Sequence, residues 1–401
     1  MSHTLSTSER SGRQRLRTLF LLLASTMTVM AGATLAPALP GMANAFSHLP
    51  QAEFFVKLAM TLPGLAIAIC APLVGRLLDR SNKKPVLVSA LLIYALSGVA
   101  GYFWQESMTA ILFSRVCLGV AVAAIMVGCT TLASDYFAGP KLGQYMGLQA
   151  AFGGLGGVVF LALAGMIAEQ HWSSVFFIYL LAALVLPGVM VWIDEPTKSD
   201  TDKQAIDSAP QINRRGILLC YTLASAEIFV LYSLTLQLPF MLPEMLSVQG
   251  DISATESGLW LAGFLLVMSL VSMGYGRLSQ WLTIQRLHLL GWTVIGVGIA
   301  LLSTASGYIV TSLSLGLAAM GLGMVRPNLI VWLFSFTPPS RRGEVIGGIT
   351  TCFFAGQFAT PFISEPIISF TNSYSAFIGG LGILLITVCV TVTLLHVFRS
   401  R

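Results

Sequence analysis

Charge is what this chain has least of. Asp, Glu, Lys and Arg make up 10% of its 401 residues, 55% are hydrophobic, and the mean hydropathy is +0.81. Soluble domains carry roughly 25% charged residues, so the balance describes an integral membrane protein. Cysteine pairing is also missing. Cys70, Cys117, Cys129, Cys220, Cys352 and Cys389 all lie in apolar runs with no Cys-x-x-Cys, which supports neither a disulfide framework nor a thiolate metal site. His3, His48, His171, His288 and His396 show no ligand spacing. No Gly-x-x-x-x-Gly-Lys-Ser/Thr loop is present to cradle phosphates, which argues against ATP-driven chemistry. No Ser/His/Asp or His-Glu-x-x-His arrangement points to an enzyme. The net charge of +5 is scattered through short loops rather than gathered on one face, unlike a nucleic-acid footprint.

What the chain has in abundance is apolar length. Stretches of about 20 apolar residues cross a bilayer as helices. Twelve are expected: 18–40, 54–74, 86–104, 107–134, 144–168 and 173–193, then 216–240, 257–276, 287–305, 309–335, 344–369 and 374–398. Only Ser306-Gly307-Tyr308 parts the ninth from the tenth. The first has signal-like features, with Arg10, Arg13, Arg15 and Arg17 before the apolar run and Ala31-Gly32-Ala33 within it. The run continues to Leu39 and eleven spans follow, so an uncleaved first helix is expected.

Lys and Arg set the expected orientation. Lys57 is placed in an outer loop and Arg115 and Arg326 inside spans; all the others among the 22 fall on the side of the N-terminal tail, the even-to-odd loops and the C-terminus. The positive-inside rule makes that side cytoplasmic, with both termini inside a multi-pass protein of the cytoplasmic (inner) membrane. Asp194 to Asn213 is the longest polar stretch and reads as a solvated linker. The expected organisation is a tail (1–17), a six-helix bundle (18–193), a linker (194–213) and a second bundle with a short cytoplasmic tail (214–401). The bundles repeat: Gly75-Arg76-Leu77 recurs as Gly276-Arg277-Leu278, and Gly143, Gly147 and Gly156 recur as Gly343, Gly347 and Gly356.

Between spans two and three lies Gly75-Arg76-Leu77-Leu78-Asp79-Arg80-Ser81-Asn82-Lys83-Lys84. This loop resembles the signature of the major facilitator superfamily of secondary transporters, with Asn82 where the family usually has Gly. Asn is the next most tolerant residue in left-handed backbone. Leu112-Phe113-Ser114-Arg115-Val116-Cys117-Leu118-Gly119 resembles the family's fourth-helix motif, with Leu118 where Gln is frequent. Gly147, Gly156 and Gly165 follow the spacing of the fifth-helix motif of the drug/proton antiporter branch, although its central Gly-Pro is Phe160-Leu161 here; Thr360-Pro361 holds the equivalent place in the second half. The resemblance implies an all-α fold of two pseudo-symmetric six-helix bundles, with substrate bound near the midplane between them and access alternating from side to side.

Candidate site residues follow. Glu227 in span seven and Arg326 in span ten lie near the bilayer centre, where a charge costs about 2.5–3.5 kcal/mol and is usually paired or functional. The family places spans one, four, seven and ten around the cavity, so these two are expected to face it, Glu227 exchanging a proton. The plainer reading is a static pair that holds the second bundle together. The resemblance associates Arg115 with proton coupling, against a snorkelling or helix-bridging arginine. Gln149, Gln357 and Asn328 are polar candidates for the cavity, against the commoner role of amides that bridge helices. The resemblance also implies an inner gate of Gly75, Asp79, Arg80, Lys83, Lys84 and Asp135, with Asp79 meeting the N-terminus of span eleven near Gly343-Glu344. Gly147, Gly156, Gly165 and Pro361 are assigned to helix packing and bending.

The expected function is proton-coupled efflux of a small organic molecule (a drug, siderophore or metabolite) by a monomer that needs no cofactor beyond the proton gradient. Two cationic residues against one midspan acid favour a neutral, zwitterionic or anionic substrate over a strongly cationic one. Uptake of a small anionic metabolite is the alternative, and a non-transporting membrane sensor is the alternative of another class.

Overall fold

The computed structural model describes residues 7–137, 140–195, 213–246, 252–337 and 342–399. Among them are twelve helices long and apolar enough to cross a bilayer, one for each expected span. The first half comprises α1 (Thr7–Ala33), α2 (Ala52–Arg80), α3 (Lys83–Phe103), α4 (Met108–Tyr136), α5 (Pro140–Ala168) and α6, a 3-10 segment (Trp172–Leu180) that runs into a helix at Leu181–Trp192. The second half comprises α7 (Arg214–Met245), α8 (Ala254–Leu278), α9 (Ile284–Leu302), α10 (Gly307–Ser335), α11 (Arg342–Thr371) and α12 (Tyr374–Arg399). Side-chain caps start several of them. Ser107, Asn213, Ser253 and Thr283 accept the N–H of Ala110, Gly216, Glu256 and Arg286. Gly307 opens α10 at a positive φ of 79°, a conformation open to glycine.

Three local expectations are corrected. The first span is not one helix: α1 ends at Ala33, and a 3-10 turn at Ala36–Ala38 and a short helix at Leu39–Ala45 complete the crossing. Pro37 and Pro40 open those two pieces, where proline's missing N–H costs nothing. Asn82 is extended (φ −70°, ψ 134°), so its place in the loop does not call on left-handed backbone. Lys57 is not in an outer loop; it lies inside α2 and is fully buried.

Each half packs in the same way, and close-approach glycines mark the parallel contacts. A Cβ on Gly119 (α4) would lie 2.5 Å from the Pro63 oxygen of α2, as one on Gly323 (α10) would from Met268 oxygen of α8. Gly156 (α5) lies against Thr26 of α1, and Gly356 (α11) against Ile228 of α7, at 2.4 Å in both cases. Gly98 (α3) meets Tyr179 of α6, and Gly296 (α9) meets Ile386 of α12. Lipid offers no hydrophobic drive between helices, so backbone-close packing at small residues is what holds such bundles.

The halves meet along two seams, α5 on α8 and α2 on α11. On the first, contact runs from Glu169–Thr255 through Gly165–Gly258 and Gly157–Leu265 to Gly154–Ser269, while Gly147, Gly274 and Gly276 have nothing within 4 Å of a would-be Cβ. On the second it runs from Phe54–Phe362 through Lys57–Glu365 to Gly64–Gln357, while Gly75 and Gly347 have nothing within 4 Å. Among the described residues, the halves therefore touch at one end and part at the end that carries the basic loops.

The contacts predict opposite outcomes for two glycines. Gly119→Leu is expected to lose most of the monodisperse protein seen by fluorescence-detected size-exclusion chromatography. Gly147→Leu is expected to retain the wild-type profile.

Candidate functional site

Glu227 on α7 and Arg326 on α10 meet. Arg326 Nε donates to Glu227 Oε1 at 2.8 Å; the arginine side chain is 37% exposed and the glutamate 0%. The carboxylate is thus fully enclosed while its counter-ion's side chain is partly exposed. The pair is joined at one point only, since Glu227 Oε2 and Arg326 Nη2 are both buried without a hydrogen-bond partner. Phe353 of α11 faces the guanidinium, with its centroid 4.8 Å from Cζ. Tyr232 of α7 and Gln357 of α11 reach the first half. A Cβ on Gly32 of α1 would lie 2.8 Å from Tyr232 Oη, and one on Gly64 of α2 would lie 3.1 Å from Gln357 Cδ. Residues of α1, α2, α7, α10 and α11 therefore converge here. A buried carboxylate costs several kcal/mol unless paired or protonated, so any movement of Arg326 changes what Glu227 must bind.

The other polar candidates divide. Gln357 joins this group; Gln149 stands half-buried on α5. Asn328 is fully buried and turned into the second half, where it accepts from Tyr275 Oη at 3.0 Å and donates to the Ile284 carbonyl at 2.9 Å. Arg115 is not brought to the Glu227–Arg326 pair. It is fully buried inside the first half; Nη2 donates to Gly98 oxygen at 3.2 Å, and the Phe176 and Tyr179 centroids lie 4.8 and 4.9 Å from Cζ. Its Nε and Nη1 have no hydrogen-bond partner.

At the basic end, Lys83 Nζ pairs with Asp135 at 2.5 Å, and the backbone N–H groups of Lys83 and Lys84 donate to the Glu195 carboxylate at 2.7 and 2.9 Å. A carboxylate at a helix N-terminus satisfies orphan donors and complements the dipole. Arg13 pairs with Asp194 at 2.7 Å, and Arg17 lies 3.9 Å over the Tyr136 ring. The side chains of Asp79 and Arg80, and those of residues 342–344, lie outside the described residues, so the expected Asp79 contact does too. Of the packing residues, Gly156 and Gly165 are in tight contact, Gly147 is in open space, and Pro361 is buried within a continuous α11.

One cluster escaped sequence reasoning. Lys57 Nζ lies 2.7 Å from Glu365 Oε1 and 3.2 Å from Glu53 Oε2. Gln237 Nε2 donates to Ser364 Oγ at 3.1 Å and to Glu365 Oε1 at 3.3 Å, and Tyr374 Oη donates to Glu53. The cluster closes the far end of the α2–α11 seam. Its signal was available: Glu365 falls inside the expected eleventh span, and Glu53 and Lys57 stand four apart on one helix face.

Comparison with known proteins gives one family. The Major Facilitator Superfamily profile matches residues 21–361. Similar relatives include the multi-drug resistance efflux pump PmrA homolog of Lactococcus lactis subsp. lactis (strain IL1403), 24% identical over 351 residues, covering 82% of this chain and 82% of that protein. Tetracycline resistance protein, class C, of Escherichia coli is 24% identical over 348 residues, 82% of this chain and 84% of that one. Among solved structures, a D-xylose-proton symporter superposes with a TM-score of 0.76 at 14% identity, over 93% of this chain and 96% of that chain.

Two measurements test these contacts. Arg326→Met strands a buried carboxylate and is expected to cost about 1–3 kcal/mol, less than a fully buried pair because the arginine is partly exposed. Adding Glu227→Gln should restore much of the loss in a thermal melt. At the α5–α8 seam, the Thr255 N–H holds the carboxyl of Glu169 below its ordinary value. That contact is fully present above the ordinary carboxylate range and is lost as pH falls through the lowered folded value. Acid is therefore expected to lengthen the distance between spin labels placed on α5 and α8 near this contact, and Glu169→Gln to abolish that pH dependence.

Proposed function

Because the chain belongs to the Major Facilitator Superfamily, and is a secondary transporter rather than an enzyme, we propose that it exports a small organic molecule by exchange for protons. The observation that carries this reading is the Glu227–Arg326 pair: a carboxylate with no exposure, one unpartnered oxygen, and a partly exposed arginine as its counter-ion. In the proposed cycle Glu227 holds Arg326 when ionised and takes a proton when the guanidinium turns away. The basic end is cytoplasmic, both termini lie on the cytoplasmic side of the inner membrane, and the halves comprise residues 18–193 and 214–401 around a linker at 194–213. In that orientation the cavity faces the cytoplasm, as loading of an exported substrate requires. The similarity to a multi-drug resistance efflux pump homolog supports the direction. One feature favours a second reading, uptake of a small anion: Arg326 is the charge the cavity meets, and its acid is withdrawn behind it.

Untargeted mass spectrometry of medium and cell extract tests both readings. Cells making wild-type protein are compared with cells making Glu227→Gln at equal membrane levels. Export predicts a compound enriched in the medium for wild type alone. A compound drained from the medium into wild-type cells would replace export with uptake, and equal export by Glu227→Gln would remove proton exchange from that residue.

A further inference from the structure

The far-end cluster has the composition of an ammonium receptor, and its parts divide unequally between the halves. Phe240 and Gln237 come from α7, Ser364 and Glu365 from α11, and Tyr374 from α12, all in the second half. The Phe240 and Tyr374 rings lie almost parallel, 12° apart in plane, with centroids separated by 6.0 Å. Lys57 Nζ sits 4.5 Å from the Phe240 centroid and 5.0 Å from that of Tyr374, with Glu365 Oε1 at 2.7 Å. Aromatic faces beside a carboxylate are how proteins hold alkylammonium groups. A further acceptor is present: Gln237 is fully buried, and its Oε1 has no hydrogen-bond partner. Gln237 Nε2, bonded to Ser364 and Glu365, fixes the carboxylate from the other side. Only Lys57 and its helix neighbour Glu53 belong to the first half.

We propose that Phe240, Tyr374, Glu365 and Gln237 form a binding site for a primary alkylammonium ion, and that Lys57 is its tethered occupant in this conformation. Opening the far end carries Lys57 away with α2 and leaves the site on the wall of the second half, facing the outside in the proposed orientation. An external alkylammonium then competes with Lys57 and holds that end open. Glu53 leaves with Lys57, so the emptied site keeps one carboxylate and binds a monocation. The site is separate from Glu227 and stands whether or not proton exchange occurs there.

The test uses the purified full chain in detergent, with n-butylammonium as the lysine side-chain mimic and n-butanol as its uncharged counterpart. Lys57→Ala is expected to lower the thermal midpoint. n-Butylammonium should recover most of that loss, n-butanol none of it, and Lys57→Ala/Glu365→Gln should not respond to either. Lys57→Met serves where the alanine variant fails to fold. In the otherwise wild-type chain made cysteine-free, n-butylammonium should increase maleimide labelling of Phe54→Cys, which stands against Phe362 when the end is closed. Glu227→Gln should leave all of these responses unchanged. The proposal is overturned if n-butanol matches n-butylammonium, if the double variant responds equally, or if neither the midpoint nor the labelling changes.

Discussion

The cost of keeping charge out of water organises this molecule. Arg115, Lys57 and Arg326 lie within membrane-crossing helices, and each is met by aromatic faces from neighbouring helices: Phe176 and Tyr179, Phe240 and Tyr374, and Phe353. A cation in hydrocarbon is tolerated only where a bundle encloses it. Each arginine or lysine therefore ties together the helices that shield it. Arg115 does so for α3, α4 and α6, and Arg326 for α7, α10 and α11. Lys57 alone does so across the two halves.

That difference in placement is a difference in role. Glu227 and Arg326 both belong to the second half and move with it, so rocking of the halves by itself does not separate them. Whatever changes their pairing must reach them from the cavity or the facing half, where Tyr232 and Gln357 already touch α1 and α2. Lys57 and Glu365 have the opposite character, since any opening of the far end parts them. One pair lies within a half, the other across the two.

The helices and their repeat were legible because they depend on long-range composition: apolar length and the recurrence of glycine at an offset of 200. Glu227 and Arg326 were legible for the same reason, as charges have few places to go within an apolar span. Lys57 was not, because a lysine near a span's end is normally free to reach water. Its burial is decided by α11 and α12, more than 300 residues on in the chain. Arg115 illustrates the converse. Its place within a span was expected, but its enclosure by Phe176 and Tyr179 puts it within one bundle, and only the packing of α6 on α3 reveals that. Asn328 likewise faces α8 and α9 because it lies two residues, and so about 200° of helical turn, from Arg326.

Part of the α5–α8 seam is backbone against backbone. Gly165 and Gly258 bring the two chains together without side chains between them, and Gly154 and Gly157 let Ser269 and Leu265 approach the backbone of α5. A glycine surface has no rotamers to freeze or release. The seam can therefore act as a greaseless bearing, on which one half rolls over the other with little repacking at each step. Resistance to that rolling is then concentrated in the few polar contacts at its far end, and their strength, rather than the breadth of the interface, sets how readily the molecule changes face.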